Sequence, residues 1–119
     1  MKNLSAFLLL VLLMTVGLAK AGPGDQQKLT SRATALTRQM ARVTPLNEGQ
    51  YVKVRQLNLR LLGEVQALQT RFANDAATLD QQMAEVQARY EWDLATILWP
   101  RQMVAYTQAK ADLMAFGSR

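Results

Sequence analysis

Glu91 and Asp93 are the most closely spaced carboxylates in the sequence, and carboxylates are the main route left to general acid–base chemistry in a chain with neither histidine nor cysteine. Two positions apart on a helix, they point to different sides and cannot converge on one substrate. Asp80 with Glu85 is no better placed. These groups read as solvated helix charges. The soft metal ligands are missing as well, and Gly22-Pro23-Gly24 is not framed by a strand and a helix as a phosphate loop must be. The residues therefore point away from an enzyme and call for no metal or cofactor.

What does stand out is a pair of corners. In Leu98-Trp99-Pro100-Arg101-Gln102 the proline disfavours helix in the residue before it and suits the first position of the helix after it. Gln102 then falls at the third helical position, where its amide can reach back to the backbone N–H of the cap residue. Leu46-Asn47-Glu48-Gly49-Gln50 repeats the frame, with Asn47 a better cap than Trp99. Leu98 is expected to tuck under its corner, and Leu46 is the apolar residue in the same place of the other frame.

The elements around these corners read as helices. Ala33, Leu36, Met40 and Val43 recur at helical spacing after a cap at Thr30 or Ser31, and Thr44-Pro45 ends that run. Tyr51, Val54, Leu57, Leu61, Val65, Leu68 and Phe72 form the stripe of a second helix, with polar Asn58 beside it. Asn74-Asp75 makes a turn and can cap a third helix, whose stripe is Leu79, Met83, Val86, Tyr90, Leu94 and Ile97. A fourth runs from Pro100 to about Phe116, with Met103, Tyr106, Leu113 and Met114 inward, and stops at Gly117. No alternating strand pattern competes. The expected fold is all-α: a long antiparallel hairpin with a shorter helix at each end, in a single domain over 31–117. Each hairpin helix should span roughly 35 to 40 Å.

The first residues have a different character. Met1-Lys2-Asn3 is a short basic start, Leu4 to Leu18 an apolar run, and Ala19-Lys20-Ala21 a small-residue cleavage site, which together read as a secretory signal over 1–21. A membrane anchor needs roughly 18 to 20 apolar residues, more than this run supplies. Residues 22–30 hold Gly, Pro and Gln without a large apolar side chain and read as a flexible lead-in. Loss of Lys2 and Lys20 with the signal lowers the formal charge from +5 to about +3, too weak and scattered for a nucleic-acid partner. An exported chain without cysteine has no disulfide to support it, and a core of this size favours a homodimer.

The hairpin has a second face. Val52 and Leu59 lie well off the stripe of the second helix, flanked by Lys53 and Arg60 on one side and Arg55 on the other; Trp92 lies far from the stripe of the third, on the side of Ala77, Ala84, Ala88 and Ala95. This mixed apolar and basic surface suits a dimer seam, a surface for other proteins, or both; isolated surface hydrophobes without a role are the remaining reading.

The two corners resemble the LTxxQ motifs of the Spy/CpxP family of periplasmic proteins, with Asn47 and Trp99 standing where the family has threonine. The resemblance covers nearly all of the sequence after the signal. It implies a cradle-shaped four-helix fold, commonly dimeric, with an apolar and basic concave face. It also implies one of two roles in the periplasm: an ATP-independent chaperone that binds unfolding envelope proteins, or a regulator docked on an envelope-stress sensor. A purely structural helical dimer is the third possibility. The histidine-rich metal sites of related sensors have no counterpart here.

Overall fold

The computed structural model describes residues 23–117, and the expected signal sequence lies outside them. Four helices follow one another: α1 Pro23–Val43, α2 Glu48–Arg71, α3 Ala76–Ile97 and α4 Pro100–Gly117. The described residues contain no strand. None of these helices is long and apolar enough to cross a membrane.

The short connections after α1 and α2 turn the chain back, so α1, α2 and α3 run alternately up and down. α1 packs along α2 and α4, α2 also packs along α3, and α3 and α4 touch only lightly.

Residues 23–30 are helical, not a flexible lead-in. Pro23 suits a first helical position, Asp25 places a negative charge in the first turn, and Gln26, Gln27 and Lys28 are good helix formers. Thr30 therefore sits inside the helix and bonds back to the Gln26 carbonyl (2.9 Å) instead of capping. The extra turns bring α1 to 21 residues, still below the 24 of α2 and the 22 of α3, and α4 has 18, so the hairpin carries a shorter helix at each end.

The core is built from Leu36, Met40, Val54, Leu57, Tyr90, Leu94, Leu98, Tyr106 and Leu113. It gathers where α1 and α3 end and α2 and α4 begin. Val43, expected inward, is exposed at 39%, and Thr44 takes the buried place beyond the end of α1. Toward the α2–α3 turn the stripe stays incompletely covered: Val65, Leu68, Phe72, Leu79 and Met83 are all only half-buried. One end of the bundle is thus tightly packed and the other open.

Candidate functional site

The corners are joined to each other. At the first, Asn47 Oδ1 accepts from the Gln50 N–H (2.8 Å) while the Asn47 N–H donates to Gln50 Oε1 (3.1 Å), a complete capping box. At the second, where Trp99 offers no capping oxygen, the Trp99 N–H donates to Gln102 Oε1 (2.8 Å). Gln50 Nε2 then donates to Gln102 Oε1 (2.7 Å) and to the Ile97 carbonyl (3.2 Å), and Gln102 Nε2 donates to Gln50 Oε1 (3.0 Å) and to the Pro45 carbonyl (2.8 Å). Both glutamines are buried and both use both ends of their amides. Leu98 is buried beneath this clasp, Leu46 is half-buried, and Pro100 opens α4 at the surface. The clasp ties the start of α2 to the start of α4.

A second buried polar chain crosses the bundle. The Tyr90 hydroxyl donates to Asn58 Oδ1 (2.5 Å), Asn58 Nδ2 to Thr37 Oγ1 (3.0 Å), and Thr37 Oγ1 to the Ala33 carbonyl (2.7 Å). Asn58 and Thr37 are fully buried, and no buried side-chain polar atom among the described residues lacks a partner. Satisfied in this way, the chain fixes α1, α2 and α3 in one register, because shifting any of them would strand a polar group in the core. Burial pushes the Tyr90 hydroxyl well above the usual tyrosine value, with the neighbouring Tyr106 and Glu91 adding to the shift.

The two carboxylates Glu91 and Asp93 do point apart. Glu91 pairs with Lys110 of α4 and accepts from Gln87 Nε2 (2.9 Å); Asp93 pairs with Arg60 of α2. Burial acts to raise the Glu91 carboxyl, but the hydrogen bonds from Gln87 and Lys110 and the Lys110 charge outweigh it and hold it below the usual range.

The second face is only partly one surface. Val52 is 54% exposed and Trp92 77%, with Lys53 also exposed. Leu59 is half-buried and contributes less apolar area. Arg55 turns toward α1, where its Nε donates to Thr34 Oγ1 (2.9 Å). Arg60 lies over the α2–α3 seam, bonded to Asp93 and 3.7 Å from Glu64, which also faces Arg89 at 3.8 Å. A charged seam therefore runs between α2 and α3, and Lys53 lines the same groove as Arg60 and Asp93. Trp99, 63% exposed, is a further outward tryptophan, seven positions after Trp92.

The open end holds a feature that periodicity does not reveal. Leu61, Leu62, Val65, Met83, Val86 and Met114 line a cavity of about 660 Å³, with Arg32, Gln66, Gln69, Ala84 and Gln87 completing the wall. A sealed void of that size would cost well over about 10 kcal/mol at about 24 cal/mol per Å³, as much as the whole stability of a small domain. It is instead open to solvent, and its volume lies in the range of small-molecule sites. Among the described residues no three carboxylate, histidine or cysteine side chains cluster as metal ligands would. The chain matches no family model, no curated protein and no solved structure.

Proposed function

We propose that the chain is an exported, Spy/CpxP-like binding protein that acts as an ATP-independent chaperone, holding unfolding envelope proteins in the periplasm as a homodimer. The observation that carries this reading is the exposure of Trp92 (77%) and Val52 (54%) on helices whose opposite sides form a packed core. Large apolar side chains held outward on rigid helices attract apolar segments of other chains, and a tryptophan is among the strongest contributors to such contacts. Lys53 and the mildly basic balance raise the encounter rate with acidic clients. The glutamine clasp supports the family reading, since it gives both LTxxQ-like corners one shared structural role.

The test is an aggregation assay with two unrelated, thermally unfolding clients and no nucleotide. Suppression of both at near-stoichiometric amounts is the expected result; protection of neither overturns the chaperone reading and favours a regulator dedicated to one sensor.

A further inference from the structure

We infer that the open end of the bundle is a binding site for an uncharged aliphatic alcohol, its alkyl body lying among Leu61, Val65, Met83 and Met114 and its hydroxyl donating to Gln87 Oε1. The chemistry of the wall selects this ligand. The cavity of about 660 Å³ suits one small molecule and is too small for a folded partner. No aromatic ring stands among the described residues that line it, so nothing there favours a flat, stacked ligand. Aliphatic side chains of α2, α3 and α4 make the walls instead, and the two methionines can adapt to a flexible chain. Arg32, the one ionisable group among these lining residues, already has an interaction partner of its own, so the wall offers no charge to hold an ion. Moving an ion from water into such surroundings is costly, and the ligand is therefore neutral. Gln87 decides its polar group. Its Nε2 is spent on Glu91 Oε1 (2.9 Å) and on the Tyr106 hydroxyl (3.3 Å), which holds the amide in place and leaves Oε1 as the end that can accept. A hydroxyl can donate to that oxygen and an ether cannot; an amide would bring in a carbonyl for which Gln87 has no donor left. Gln66 and Gln69 line the same cavity but are exposed, where water competes for their amides. The stripe residues Val65 and Met83, which helical periodicity assigns to the core, are only half-buried here, and an alkyl chain removes that apolar surface from water. The site shares no residue with Trp92 and Val52, so it stands or falls independently of the chaperone reading.

Calorimetric titration of the protein with 1-hexanol, 1-heptanol and 1-octanol tests it, with octanoate as the charged control and heptyl methyl ether, the isomer of 1-octanol without a hydroxyl, as the control that cannot donate. Saturable binding of one alcohol per chain is expected, tightening by about fourfold for each added methylene until the cavity is full. The ether should bind about fivefold more weakly than 1-octanol, the worth of one hydrogen bond, and octanoate at least about tenfold more weakly. Gln87→Met should bring 1-octanol down to the level of the ether and leave the ether unchanged, a loss of discrimination that a merely structural role for Gln87 does not produce. Val65→Trp, which fills the cavity, should reduce 1-octanol affinity by about tenfold or more with an unchanged helical spectrum, and Met83→Trp from the facing helix does the same if the first variant fails to fold. Trp92→Ala should bind 1-octanol like the parent. No saturable binding, undiminished binding in a folded cavity-filled variant, octanoate binding as tightly as 1-octanol, or the ether matching 1-octanol in the parent overturns the assignment.

Discussion

Gln50 and Gln102 face each other across the start of α2 and the start of α4 as a reciprocal amide pair, each donating to the other (2.7 and 3.0 Å) and each capping its own helix. A cap in one place is thereby made conditional on a cap 52 residues away. Gln50→Ala and Gln102→Ala should each cost about 1 to 3 kcal/mol, because the surviving amide is left buried with lost partners. The double variant should cost less than the sum of the two, with a coupling of about 0.5 kcal/mol or more in a urea-melt cycle.

The buried chain from Tyr90 through Asn58 to Thr37 predicts a different asymmetry. Tyr90→Phe removes the donor to Asn58 Oδ1 and should cost about 1 to 3 kcal/mol by urea melt. Asn58→Leu, which takes a hydrogen-bond partner from Thr37 as well as from Tyr90 and forces a new shape on a fully buried site, should cost more than Tyr90→Phe.

Alkaline pH should loosen the fold through the same tyrosines. Burial, with a further push from Glu91, raises the Tyr106 hydroxyl to about 12, and Tyr90 is shifted in the same direction. In the unfolded chain both titrate near 10, so above that pH the unfolded state loses protons that the folded state keeps. Their contribution is therefore intact below pH 10 and is lost as pH rises through the folded values. The melting temperature should fall between pH 9 and pH 11.5, and Tyr106→Phe should shrink that fall.

The packed and open ends of the hairpin should respond differently to truncation. Leu94, fully buried, should cost about 2 to 5 kcal/mol as Leu94→Ala. Leu61 is on the same kind of stripe but lines the cavity, so Leu61→Ala only enlarges a space already open to solvent and should cost clearly less. Equal losses in denaturant melts would mean that the open end is closed in solution.

The local features were the legible ones. Asn47, Pro100 and the two glutamines announce their helix starts because capping is decided within a few residues, and Val54, Leu57, Leu94 and Tyr106 announce the core because periodicity marks the inward side of each helix. Periodicity does not say how closely the neighbouring helices approach. Hence Leu61, Val65 and Met83 read as core although they line a cavity, and Asn58 reads as a neighbour of the stripe although it is the buried junction of a polar chain. Residues 23–30 misled through composition: Gly24 and Pro23 suggested a loose segment, yet proline at a helix start and Asp25 in the first turn favour a helix. Arg55 and Arg60 were visible as cations, but their partners Thr34 and Asp93 belong to other helices and could not be read from spacing on α2.

Client protection by a surface variant tests the central claim most directly. Trp92→Ala combined with Val52→Ser removes the two most outward apolar side chains of the hairpin's second face while leaving every buried residue in place, so the melting temperature should barely change. In a light-scattering aggregation assay with two unrelated clients, the parent should suppress both and the double variant should lose most of that activity at equal concentration. A double variant that protects both clients as well as the parent does, with the same melting temperature and oligomeric state, would contradict the assignment of this face to client binding.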